Sequence, residues 1–329
     1  MRKSFLLLAG AAAVLASCSE TETLDMAETA SGIRFDGAYI GYATETRSIT
    51  PTENITEFWV YGQYSKDEAA NVSVFDNTKV SNSGDTWSYE GGLRPWIDGA
   101  KYTFAAYAPE NAVSVSNMNE YGYLTFEYTS NTSNQKDLLY AAHTQDGASS
   151  GNNPISLTFK HLLSIVQFTF KSGFDESSKV TVKNIKVTGI NTKATFTGNA
   201  ITQSGNENFG GSWDTAETSE EFSLSELSEI KATGSSDNII VIPQNIPTVS
   251  VTFDVDVTDT NGQSVMSKIG LSAILPTSTT TSWAMGYKYN YVATIDPKSV
   301  DLEYIEFKNA EVDVWKDGIG GDLNVQDAQ

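Results

Sequence analysis

The side chains able to do chemistry in this 329-residue chain are few and far apart. There is one cysteine, Cys18, and there are two histidines, His143 and His161. A single cysteine excludes a disulfide framework and thiolate-rich zinc or iron–sulfur sites. Two isolated histidines leave little for metal binding or acid–base work near neutral pH. His161 follows Lys160 at an apolar run and reads as a structural residue closing a strand, while His143 has no evident partner. Asp254, Asp256 and Asp259 with Asn261-Gly262 resemble a calcium loop in content. Their spacing lacks the sixth-position glycine and twelfth-position glutamate such a loop needs, so a strand followed by an Asn-Gly hairpin turn accounts for them better. Gly318, Gly320 and Gly321 lack the strand-to-helix setting and the Lys-Ser/Thr of a phosphate loop. Acidic residues are too plentiful for any two to stand out as a glycosidase pair. Trp87 and Trp96 could stack on a sugar, but in an aromatic-rich chain they read as core. The expectation is a protein that is not an enzyme and carries no cofactor or metal.

Charge narrows the partners. The formal net charge is −20, which repels phosphate backbones and argues against nucleic acid. The lone cysteine has a telling position. Met1-Arg2-Lys3 precedes an apolar run from Phe5 to Ala16, and Leu15-Ala16-Ser17-Cys18 follows. A basic start, a short hydrophobic stretch and small residues before a cut form a secretory signal peptide, too short for a stop-transfer helix. Leu-Ala-Ser-Cys has the form of a bacterial lipobox, which assigns residues 1–17 as signal and Cys18 as the lipidated new N-terminus. Its acyl chains would anchor the exported chain by burying methylenes at about 0.8 kcal/mol each.

The elements after this anchor read as strands. Glu20 to Ala30 is a polar tether. Ile33 and Phe35 alternate with polar residues, and after Gly37 the apolar positions shift to Ala38, Ile40 and Tyr42, the mark of a bulge at a glycine. Short aromatic runs recur at Phe58–Tyr64, Thr86–Tyr89, Tyr102–Tyr107 and Tyr121–Tyr128. Later, Leu162, Ser164, Val166, Phe168 and Phe170 share a face. Val180 and Val182 share one that Ile185 and Val187 shift by one. Val249 to Val257 and Tyr287 to Ile295 alternate throughout. No segment of helical length sustains a 3.6 period; Leu224 to Ile230 is the only candidate, for a turn or two at most. Many strands without alternating helices predict an all-β chain of antiparallel sandwiches. The turn-rich stretch Asp146–Pro154 is the expected linker between two halves.

Taken in order along the chain, several segments resemble the fimbrillin family, the subunits of lipoprotein-derived pili of Bacteroidetes. They are the lipobox at Cys18; the strand Ile33 to Tyr42 followed by Thr46-Arg47-Ser48; Trp96 to Phe104 running into Ala105-Ala106-Tyr107-Ala108-Pro109; Phe159 to Ser164; Val241-Ile242-Pro243-Gln244; Trp283 to Tyr289; and Val312-Asp313-Val314-Trp315. The resemblance implies two tandem antiparallel β-sandwich domains of transthyretin-like Greek-key topology, spanning 48–157 and 158–329, behind a propeptide of residues 18–47. It implies an outer-membrane lipoprotein precursor, held in lipid through Cys18, that a surface arginine-specific protease cuts after Arg47 to leave Ser48 first. Arg34 is the alternative cut site, but it lies inside the alternating strand. The mature chain would keep 17 Lys+Arg and 35 Asp+Glu. Polymerisation with other pilin subunits into a surface fimbria follows, with host or bacterial surface ligands as adhesion partners. The candidate donor strand is Leu302, Tyr304, Ile305, Phe307, Val312, Val314 and Trp315 within a tail of about 300–329; the other reading makes these ordinary closing strands. The alternative function is a surface glycan-binding lipoprotein, for which no cut after the first strand is needed. Asp214-Thr215-Ala216 is similar to a short O-glycosylation motif of these bacteria.

Overall fold

The computed structural model describes residues 32–41, 55–67, 69–84, 86–110, 113–119, 122–133, 135–148, 153–199, 210–215, 219–246, 248–301 and 305–315. Strands carry nearly all the regular structure, as alternation and β-branched content dictate. In chain order they are β1 (Phe35–Ile40), β2 (Glu57–Ser65), β3 (Val72–Ser83), β4 (Thr86–Tyr89), β5 (Lys101–Ala108), β6 (Ser114–Met118) and β7 (Leu124–Thr129). Then come β8 (Leu139–Asp146), β9 (Ile155–His161), β10 (Ser164–Ser172), β11 (Lys179–Asn191), β12 (Lys193–Gly198), β13 (Gly211–Thr215) and β14 (Ser219–Ser223). The last are β15 (Leu227–Ile230), β16 (Thr233–Ser235), β17 (Ile239–Val241), β18 (Ser250–Thr258), β19 (Ser264–Ile274), β20 (Tyr287–Ile295) and β21 (Glu311–Val314). The helix α1 (Pro297–Asp301) is a single turn and a half. The stretch Leu224–Ile230, expected as helix, contains β15 instead. Its apolar spacing of three suits a helix, but antiparallel pairing with β11 makes it a strand, and a register shift beside Glu229, at φ +55°, absorbs the odd spacing.

Three cores result. The seven-stranded sheet runs β1-β9-β8-β5-β2-β3-β4 and curls around a core drawn wholly from residues 33–159. Its outer face packs on the four-stranded sheet β13-β12-β7-β6, with Trp59, Tyr107, Phe126 and Phe196 between them. Two five-stranded sheets built around β10-β20 and β11-β18 close the third core. Asp146–Pro154 is not a link between sheets. It joins β8 to β9, which both belong to the seven-stranded sheet, and the expected division at residue 158 falls inside β9. Polar turn residues mark a chain reversal wherever it occurs, within a sheet or between two. The halves also interlock, because β12 from the second half pairs with β7 from the first.

Candidate assembly site

The first strand sits in a slot of its own. The alternation around Gly37 becomes a register shift between Phe35 and Gly37 along β9, so apolar residues on both sides of the bulge face inward. Ile33, Phe35, Ala38 and Ile40 are all buried. Phe35 is the hub, meeting Phe58 (5.5 Å), Phe75 (5.7 Å), Tyr89 (6.1 Å) and Phe104 (6.3 Å) edge to face. Burying Ile33, Phe35 and Ile40 together contributes on the order of 5–9 kcal/mol.

Backbone bonds hold β1 on both sides. Toward β9 the pairing is parallel; the Ile155 N–H donates to the Arg34 carbonyl (2.7 Å) and the Gly41 N–H to the Phe159 carbonyl (2.8 Å). On the other side, the Ile33 N–H donates to the Arg94 carbonyl (2.7 Å) and the Tyr89 hydroxyl to the Ile33 carbonyl (2.7 Å), beside a bridge from Gly32 to Pro95. The Arg94 guanidinium lies 4.0 Å from the Phe75 ring centre, which fixes that wall. β9 depends on β1: its ladder to β8 consists of Leu139 with His161 and Tyr140 with Lys160, so among the described residues Ile155 to Phe159 pair with β1 alone. Removing β1 would leave that edge unpaired beside an open aromatic groove.

Arg34 projects an exposed side chain, with its carbonyl locked into this ladder. Cys18, Arg47 and Ser48 lie outside the described residues, as do Leu302, Tyr304 and the glycines 318, 320 and 321.

The other candidate residues are packed within their own chain. Ile305 and Phe307 are buried in the third core, Phe307 meeting Phe168 at 5.6 Å and Phe170 at 5.7 Å. β21 is the edge strand beyond β20, held by four antiparallel residue pairs. Val312 on it is 49% exposed and Val314 half-buried. Trp315, just past the strand, is buried and stacks on His161 with ring centres 4.3 Å apart. His161 Nδ1 in turn lies 2.8 Å from Asp137 Oδ2. This trio closes the junction between cores. The sequence marked His161 as structural, but nothing in local spacing pointed to Asp137 or to the stack, which only tertiary packing creates.

The acidic residues reviewed for calcium are engaged otherwise. Asp256 pairs with Lys183, whose ammonium holds the carboxyl below the usual range. Asp254 accepts from Asn184 Nδ2 and the Gly270 N–H, both at 2.7 Å. Asp259 caps the turn, accepting from the Asn261 and Gln263 N–H groups at 2.8 Å each. Among the described residues no cluster of His, Cys, Asp and Glu is arranged to hold a metal. Trp96 is buried and Trp87 packs against the same core. His143 pairs with Gln145. Thr215 sits on β13 opposite Ala194.

A family model described as fimbrillin-like matches residues 44–315. Among solved structures, the chain resembles a fimbrial protein from Bacteroides vulgatus at 17% identity and a TM-score of 0.60, covering 87% of this chain and 99% of that one. It also resembles two proteins described as candidates for cell adhesion. One is from Bacteroides uniformis, at 18% identity and a TM-score of 0.51, covering 88% of this chain and 99% of that one. The other is from Bacteroides ovatus, at 18% identity and a TM-score of 0.50, covering 87% and 98%. At such identities the likeness concerns the fold. No curated protein matches the chain.

Proposed function

Since the chain belongs to the fimbrillin-like family, whose setting is the fimbrial cell surface, we propose that it is a pilin that assembles by exchanging a strand between subunits. It is exported as a lipoprotein held by Cys18, and an arginine-specific surface protease cuts after Arg47. The cut frees both the lipid anchor and β1. The observation that carries this reading is the seating of β1: a short segment at the N-terminal end, bound between β9 and residues 89–95, over a groove of aromatic side chains. A strand from the next subunit refills the groove, its main chain pairing with β9 and its alternate side chains replacing Phe35, Ala38 and Ile40. The contact is head-to-tail, so it propagates into a filament. The donor comes from the C-terminal segment. There β21 is an edge strand of four residues, and Trp315 is the deeply buried residue at its end.

The test is Arg47→Ala with sequencing of the surface protein's N-terminus. The expected outcome is a lipidated precursor beginning at Cys18 and no polymer. Normal fimbriae in that variant, or a wild-type N-terminus other than Ser48, would overturn the reading.

A further inference from the structure

The outer face of the seven-stranded sheet changes character along its length. Its cross-strand rows read Trp59–Tyr107–Tyr140, then Tyr61–Ala105–Ala142, then Gln63–Thr103–Thr144. The first two rows pack under the four-stranded sheet. The third lies where that cover ends, and its groups open into a cleft of about 330 Å³. That volume is at the small end of ligand sites, which span about 300–1,000 Å³. The far wall is Tyr123, directly before β7.

This wall is held in place. The Asn119 N–H donates to the Tyr123 carbonyl (2.7 Å), and the Tyr123 N–H to Asn119 Oδ1 (3.0 Å). Gly122, at φ +85°, lies so close to the floor that a Cβ there would stand 2.8 Å from Thr103 and 2.9 Å from Gln63 Nε2. Only glycine allows the loop to touch the sheet at that φ. The cleft is thereby shaped before any ligand arrives.

Its chemistry selects a ligand class. An amide and two hydroxyls form the floor, at the spacing of about 4.8 Å between neighbouring strands. An aromatic ring forms the wall, and partial burial pushes the pKa of its hydroxyl up from the usual phenol range. Among the described residues no carboxylate, histidine or cysteine lines it, so it offers none of the ligand sets that hold transition metals. Lys101 is the charged residue on the lining, and Asp146, of opposite charge, stands across from it on β8. On a chain of net charge −20, an anionic ligand is further disfavoured. We infer that this cleft binds a neutral saccharide, one ring stacking on Tyr123 while its hydroxyls bond to Gln63, Thr103 and Thr144. The inference is independent of the assembly reading, since the lining residues named belong neither to β1 nor to the C-terminal segment.

Saturation-transfer NMR on the purified protein tests it. The probes are methyl α-D-mannopyranoside, methyl β-D-galactopyranoside, methyl α-D-glucopyranoside and N-acetyl-D-glucosamine, each at millimolar concentration. At least one is expected to receive saturation on its ring protons. That signal should fall about fivefold or more in Thr103→Val, which removes one hydroxyl at constant shape, and likewise in Tyr123→Ala. An unchanged thermal midpoint in Thr103→Val separates lost binding from lost folding. Silence from all four sugars, or signals undiminished in both variants, would refute the site. Displacement of the sugar by inorganic phosphate would also refute it, by showing that the Lys101 charge drives binding.

Discussion

Trp315 shows how much can rest on one side chain. It is 3% exposed and stacks on His161, while its backbone N–H donates to the Gly286 carbonyl (2.9 Å). Trp315→Ala is expected to lower stability by about 3–5 kcal/mol in urea denaturation, and to speed amide exchange along β21. Val312, exposed on the same strand, should change stability by about 0.5 kcal/mol or less as Val312→Ala. The indole Nε1 and the imidazole Nε2 are both buried without a hydrogen-bond partner among the described residues. An unmade buried bond costs about 1–3 kcal/mol, so Trp315→Phe should recover most of what alanine loses. Equal losses for Phe and Ala would show that the stack contributes nothing. His161 was legible as structural from its place in an apolar strand, whereas its pairing with Asp137 joins residues 24 positions apart through a loop with no periodic signal.

At the scale of elements, β1 is defined by pattern alone. Its bulge was readable because a period of two that shifts at a glycine has no simpler explanation. The same logic found the shift in β11, where the register breaks between Lys183 and Lys186 and Asn184 adopts φ +54°. β18 was equally plain, alternating buried and less buried residues throughout, whereas in β20 the alternation is broken where Tyr291, Val292 and Ala293 are all buried. β3 and β19 were not, since their exposed faces carry polar and apolar residues in no regular order. Which strands become neighbours was also hidden, because β12 beside β7 depends on cross-sheet packing rather than on either sequence. A peptide spanning Ile33–Tyr42 should bind the chain truncated before Ser48 and suppress its polymerisation, as followed by fluorescence anisotropy. Phe35→Ala in that peptide should weaken binding by roughly a hundredfold or more, the equivalent of a lost buried phenylalanine. Equal affinity of the two peptides would remove the groove from the assembly account.

The molecule as a whole is rich in buried phenols, and this sets its response to base. Burial pushes Tyr61 and Tyr291 up to about 12, and Tyr128 and Tyr140 higher still. Unfolded tyrosines ionise near 10, so from there to about 12 the unfolded chain releases protons that the native one keeps. Stability is therefore unaffected by these groups below about pH 10 and falls as pH rises through that window. The urea midpoint should drop clearly between about pH 9 and about pH 11. Coincident midpoints would show that the phenols are not buried as described. The interlocked sheets have a further consequence, for time rather than stability. β1 waits for β9, β7 waits for β12, and β10 waits for β20, so no core closes from a local stretch of chain. Loop-closure entropy must be met before such distant pairings reward it, which places folding in the slow range of about milliseconds to seconds. A polypeptide delivered end first thus holds its early strands as an open thread until β9 emerges, and those of the third core until β20 does, pliable enough to pass a narrow channel and committed to a shape only beyond it.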